Sequence, residues 1–375
     1  MNGPPSPRRV LVIGAYDPST PRTRQWFRLL ERIGAEVEAR PTTRWDRDRV
    51  EASVGSPLAV AWRLVRGLFG ACWYLARCPR PDVVVFCYPG HVDACVLGLV
   101  ARMRGIPTVL DAFISLYDTV VSDRGMRKPW SPTGIALRLL DTLACWSVGT
   151  IVCDTPQHAD FFARLTRRRR DRFAVLWVGA DESIYAPGPD PGDDAPILWY
   201  LTFIPLHGID TVLRAAALMA DDPRRFRLIG AGQARPAAEA LIAELGLTNV
   251  DLADPVPESD LTAEIARSSV CLGAFGTSAK TARVVPNKVF QCTAAGRAVV
   301  TADTPALRLA YGDALVLVPP GDPAALAAAL RSLRGEPRLT VAAAGRTVFG
   351  EHYADTGLGR DLAAILDVAT GRTRS

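Results

Sequence analysis

The chain has 375 residues, 49% apolar and 22% charged, a globular balance that excludes disorder as its main state. This length suits two domains whose cores need neither disulfide nor metal to fold. The net charge is only +5, and basic and aromatic residues do not interleave as on a nucleic-acid surface, so no nucleic-acid partner is expected.

The opening residues 1–5 hold no apolar signal core, and a cytoplasmic chain is expected. Residues 9–14 (RVLVIG) predict a buried strand, followed by an amphipathic helix near 22–33. The apolar stretch 57–76 carries Arg63 and Arg66 at its middle, which argues against a spanning helix. With Trp62, Trp73 and Tyr74 it suits either a helix packed on a sheet or one lying at a membrane interface. Strand-like runs recur at 83–87, 108–110 and 150–153, with helical stretches between, which is the pattern of parallel βαβ units. Four arginines at 167–170 suit a solvated turn or an anionic surface.

Residues 185–196 (YAPGPDPGDDAP) read as a linker. The alternation then restarts: a strand at 197–201, a helix at 207–220, and a strand at 226–229 that ends in Gly230 and Gly232. Further strands fall at 270–272, 298–300 and 315–318, and a last helix at 353–370. Two Rossmann-like doubly wound domains are expected, 1–185 and 186–350, facing a central cleft with ligands at the strands' carboxyl ends. Residues 351–375 would pack back on the first domain. The eight cysteines show no C-x-x-C spacing and read as core thiols, without a metal site.

Chemistry concentrates in residues 275–300. Pro286 suits the first turn of a helix that would end near 295, before Gly296. Its free N–H groups and dipole would face an anion. Lys288 lies in that first turn, with Gln291 on the same face, and Lys280 and Arg283 on the loop before it. Of 44 Lys+Arg only Lys128, Lys280 and Lys288 are lysine, and two of these three bracket this helix entry. Three cations at a helix N-terminus suit a diphosphate; a surface helix with incidental basic residues is the alternative.

Other candidates carry two readings each. Gly230 and Gly232 suit close approach to a nucleotide or a tight turn. His91, on the Pro89–Gly90 turn, would sit at the cleft edge or serve as a structural histidine. Asp111 and Asp118 suit acceptor hydroxyls or turn chemistry. Arg22 and Arg24 suit an acceptor or phosphate, or a plain helix surface.

The 275–300 segment resembles the donor-binding region of retaining glycosyltransferases of family 4, which have the GT-B fold. The resemblance covers nearly the whole chain. It includes YDPSTPRTR (16–24), PGH (89–91), SLYDT (115–119), TFIPLHG (202–208), FRLIGAG (226–232), PNK (286–288) and QCTAAGRAVV (291–300). It implies transfer of a sugar, with retention, from a nucleotide diphosphate sugar to an acceptor hydroxyl, with neither metal nor other cofactor. A glycan, lipid-linked or small natural-product acceptor fits; the basic N-terminal half, apart from the resemblance, suits a phosphorylated or membrane-bound acceptor and peripheral membrane contact. His91 would touch the donor sugar or acceptor, and Lys288 and Arg283 would stabilise the leaving group. The family's two glutamates fall on Arg283 and on Gln291, the latter at the ribose position. Its diphosphate arginine and lysine fall on Thr202 and His207. These departures leave open a nucleotide-binding subunit without turnover, or a nucleotide-sugar epimerase.

Overall fold

The computed structural model describes residues 8–42, 57–123 and 125–372. The expectation for residues 1–5 and the side chain of Arg63 lie outside the described residues. The chain divides into two compact units, Met1–Trp177 with Leu358–Ser375, and Val178–Gly357.

The first unit is built on a six-stranded parallel sheet. Its strands are β1 (Arg9–Gly14), β2 (Glu36–Pro41), β3 (Val83–Phe86), β4 (Thr108–Asp111), β5 (Thr150–Cys153) and β6 (Phe173–Val175). Their order is β2-β1-β3-β4-β5-β6. The helices are α1 (Pro21–Arg32), α2 (Pro57–Arg77), α3 (His91–Met103), α4 (Pro132–Ser147) and α5 (Pro156–Thr166). β1, β3, β4 and β5 are apolar on both sides because both faces are covered, whereas β2 at the sheet edge is polar and largely exposed. Leu11, Ile13, Phe86 and Leu110 pack with α2 to α5. Val10, Val12, Val85 and Val109 point the other way, toward Trp26 and Leu29 of α1. Helix starts are set locally: Ser131 and Thr155 accept from the N–H groups of Gly134 and His158, with proline in the first turn.

The second unit repeats this plan with β7 (Ile197–Thr202), β8 (Phe226–Ala231), β9 (Val250–Ala253), β10 (Val270–Leu272), β11 (Ala298–Ala302) and β12 (Val316–Val318). These strands too are parallel, in the order β12-β11-β10-β7-β8-β9. Around them lie α6 (Ile209–Leu218), α7 (Arg235–Glu244), α8 (Glu258–Ala266), α9 (Asn287–Ala294), α10 (Pro305–Tyr311), α11 (Pro323–Ser332) and α12 (Glu336–Val348). The helix expected from residue 207 starts later. Gly208 is left-handed (φ 68°), which separates a short turn at Pro205–His207 from α6.

The residues read as a linker are fastened to the second unit. Buried Arg338 of α12 donates to both carboxylate oxygens of Asp190 (2.8 and 2.9 Å) and to Asp193 (2.7 Å). These bonds hold both carboxyls below their usual range. The last helix, α13 (Asp355–Thr370), sets Leu358, Leu362, Ile365 and Leu366 in the first unit's core beside Val10, Trp26 and Leu29. Among the described residues no helix is long and apolar enough to cross a membrane.

Candidate functional site

In the second unit, α9 begins one residue later than expected. Pro286 is its N-cap and supplies no side-chain hydrogen bond; Val289 N donates to Pro286 O (2.9 Å), and the N–H groups of Asn287 and Lys288 are those a ligand could meet. Gly296 ends it in the left-handed conformation (φ 67°). Lys288 is buried, with Nζ 3.5 Å from His207 Nδ1 and 5.5 Å from the Trp199 ring centroid. No carboxylate pairs with it among the described residues. Burial lowers its pKa to about 7. Burial, with Lys288 adjacent, pushes His207 well below its ordinary value. His207 is therefore neutral at pH 7 and offers the position a hydrogen-bonding imidazole rather than a charge.

The placement of His207 follows from tight backbone packing. Phe275 N donates to His207 O (2.9 Å) and Gly276 N to Leu206 O (3.2 Å). A Cβ on Gly208 would lie 2.5 Å from the Phe275 backbone, so only glycine lets these two loops touch.

Gln291 is held on both ends. Its Oε1 accepts from Tyr200 Oη (2.8 Å), and its Nε2 donates to Tyr185 Oη (2.8 Å), which in turn donates to Glu258 (2.9 Å). One N–H and one lone pair remain for a ribose. The two tyrosines, contributed by the segment read as linker and by β7, were not found by sequence reasoning. Lys280 and Arg283 are half-buried, on and beside the short turn Thr281–Arg283. Thr202 is exposed at the end of β7. Gly230 and Gly232 meet an internal need. A Cβ at Gly230 would lie 1.8 Å from Leu201 O, and one at Gly232 2.6 Å from Phe203 O.

In the first unit, two residues expected at an acceptor are engaged with each other. Arg22 Nη2 and Nε donate to Asp111 (2.7 and 3.0 Å), and Arg22 Nη1 donates to Gln25 (3.0 Å) and to Leu176 O (2.9 Å). Both partners are almost fully buried. Their bidentate pair ties α1 to β4, so both side chains expected at an acceptor are already engaged. Arg24 is half-buried one turn-face away on α1.

His91 opens α3 fully buried, 3.8 Å from Asp141 of α4, and neither ring nitrogen has a hydrogen-bond partner among the described residues. Burial lowers the His91 pKa and raises that of Asp141. Asp141 also explains the SLYDT stretch. Its carboxylate accepts from Ser115 Oγ (2.6 Å) and from the N–H groups of Leu116 (3.3 Å) and Tyr117 (3.1 Å). Asp118 is buried on the turn that follows. The sequence signal for Asp141 was a lone carboxylate inside an apolar helical run. Among the described residues no group of three or more His, Cys, Asp or Glu is placed to hold a metal, and all eight cysteines are free.

Residues 196–335 match the family model of group 1 glycosyl transferases. The chain is 29% identical over 330 residues to D-inositol 3-phosphate glycosyltransferase of Thermomonospora curvata, which covers 76% of this chain and 72% of that protein. Among solved structures it resembles sucrose-phosphate synthase of Thermosynechococcus elongatus, with TM-score 0.74 and 16% identity over 98% of this chain and all of that one. It also resembles Anabaena HepE bound to UDP, with TM-score 0.68 and 13% identity over 96% of this chain and all of that one. Identities this low speak for the fold alone. The family match and the curated relative, on this pair of parallel sheets, support a glycosyltransferase with the two-domain GT-B fold.

Proposed function

We propose that the chain transfers a sugar from a nucleotide diphosphate sugar to an acceptor hydroxyl, with retention at the anomeric carbon. The observation that carries this is Lys288, a buried ammonium with no carboxylate partner among the described residues, at the start of α9. A buried cation without an anion is an unfavourable arrangement that a diphosphate corrects.

The bond from the anomeric carbon to the diphosphate oxygen breaks, and the acceptor oxygen bonds on the same face. The acceptor proton passes to the departing phosphate, so no protein base is required. Lys288 and the α9 N–H groups stabilise the charge that develops on the leaving diphosphate, with Lys280 and Arg283 nearby in sequence. Thr202, His207 and Gln291 supply neutral hydrogen bonds to the donor. Arg24, His91 and Asp118 are the acceptor and sugar candidates of the first unit. The binding of UDP by HepE makes UDP-sugars the first donors to test. The name of the Thermomonospora relative makes a phosphorylated cyclitol the first acceptor.

Incubation with UDP-, GDP-, ADP- and TDP-sugars, with and without acceptor, tests this reading. Transfer whose product keeps the donor's anomeric configuration supports it. A second reading rests on Gln291, an amide engaged by two tyrosines where the resembled family has a carboxylate. Nucleotide binding without any turnover would favour that reading, a binding subunit. Conversion without acceptor would point to an epimerase.

A further inference from the structure

The sheet-facing sides of α2, α3 and α4 are small and apolar: Ala71, Leu75, Ala94, Leu97, Ala144 and Cys145. A helix layer between a sheet and water is expected to be polar on its outer side. This one is apolar there too. On α2, Trp62, Phe69 and Trp73 are 68%, 70% and 57% exposed, on the side opposite Ala71. On α3, Val92, Val96, Leu99 and Met103 repeat at helical spacing opposite Leu97, all exposed. On α4, Ile135, Leu139, Leu143 and Trp146 do the same opposite Asp141 and Cys145. Trp130, on the loop before α4, is 75% exposed. Because α3 packs against both α2 and α4, the three stripes lie side by side. Contiguous exposed apolar side chains of this kind mark an interaction surface.

Among the described residues of these three helices and of the loop before α4, the exposed charges have one sign. The carboxylates of these three helices are Asp93 and Asp141, and both are buried. Arg66, Arg77, Arg102 and Arg138 face outward, and Arg127 and Lys128 stand on the loop beside Trp130. Where α3 and α4 end, Arg102, Arg168 and Arg172 line a cavity of about 540 Å³ together with Trp146. Arg168 Nε is buried there without a hydrogen-bond partner. Burial, then the neighbouring Arg172 and Arg102, lower the Arg168 pKa. An anion in that cavity would relieve the repulsion. A second copy of the chain would set this basic face against itself, which disfavours a dimer here.

We propose that the outer side of α2, α3 and α4 docks on an anionic phospholipid bilayer, with the Arg102–Arg168–Arg172 cavity receiving a headgroup phosphate. Tryptophans and arginines around an apolar face match the amphipathic boundary of a bilayer. The proposal stands on this surface alone and does not depend on the transferase reading.

The test is sedimentation of the full chain with vesicles of phosphatidylglycerol and phosphatidylcholine, against phosphatidylcholine alone. Tryptophan emission serves as a second readout. The chain is expected to sediment with the anionic vesicles, to shift its emission to the blue, and to release partly as salt rises. The double variant Phe69→Asp, Leu139→Asp, and separately Arg102→Glu, are each expected to weaken binding by about tenfold or more. These positions are exposed, and an unchanged circular dichroism spectrum confirms that the fold survives. Failure to bind anionic vesicles at low salt overturns the proposal, as does undiminished binding by the variants. Equal binding to phosphatidylcholine alone overturns its anionic part. A wild-type dimer that Phe69→Asp dissociates overturns it in favour of an interface between copies.

Discussion

Lys288 Nζ lies 3.5 Å from His207 Nδ1, so two titratable bases share a buried space with no carboxylate between them. The arrangement is most favourable with a single proton on the pair, held by Lys288, and the imidazole nitrogen accepting. An arriving diphosphate adds the missing charge. Replacement of Lys288 by methionine is expected to lower kcat by on the order of a hundredfold or more, the scale of one lost preorganised donor. Steady-state kinetics check this, and turnover near the wild-type rate would remove Lys288 from the mechanism.

The same pair predicts a pH dependence. Lys288 titrates near 7 in the free protein, and a bound diphosphate raises that value. Nucleotide affinity should then fall above pH 7, by up to about tenfold per pH unit, until the pKa of the complex is reached. Calorimetry of UDP binding at pH 8 in buffers of different ionisation enthalpy should show uptake of a proton. An affinity that is flat between pH 6 and 9 would contradict it.

Stability should move the opposite way. Burial depresses the folded-state pKa of Lys288 from 10.5 to about 7, so between these values the unfolded chain binds more protons than the folded one. This group therefore makes the protein more stable as pH rises through that window. Lys288→Met removes the buried charge, and its melting temperature at pH 6 should exceed that of the wild type. Greater stability together with lost turnover would mark Lys288 as a residue kept for function.

Arg22 and Asp111 should behave as a structural pair. Replacement of Asp111 by alanine leaves a buried guanidinium without its anion and is expected to destabilise by about 3–5 kcal/mol. Guanidinium denaturation measures this. Activity per folded molecule should change little, and a selective rise in acceptor KM would instead restore the acceptor role.

Gln291→Glu tests whether the resembled family's carboxylate would serve here. The exchange removes the Nε2–H that Tyr185 Oη accepts and sets a second carboxylate beside the Tyr185–Glu258 bond. A stability loss of about 1–3 kcal/mol is expected, with no gain in kcat. Thermal melts and kinetics on the same preparation decide it.

The alternation of strands and helices was legible because its signals are local: apolar runs, first-turn prolines, and a glycine after α9. The helix that carries Lys288 was readable for that reason, within a residue at each end. What escaped are pairings across long sequence separations. Arg22 and Asp111 each looked like a surface candidate, and only the β1-β3-β4 neighbourhood brings α1 over the end of β4. Asp141 lies inside a helix with no nearby sign that Ser115, Leu116 and Tyr117 would wrap it. The charge state of His207 depends on burial between two loops, and no neighbour in sequence reports that. Composition gave no sign of how residues 185–196 are fastened, because the arginine that holds Asp190 and Asp193 lies about 145 residues away.

The position of α13 has a consequence for how the chain is made. Its leucines complete a core that β1, β3 and α1 also line, yet α13 leaves the ribosome only after the whole of the second unit. The first unit therefore stays open along one side of its sheet while residues 178–357 emerge. The second unit is continuous in sequence and can close first. Synthesis runs from the N-terminus, but completion of the two cores runs in reverse, and a nascent chain stalled before residue 358 would carry a finished second unit and an unfinished first one.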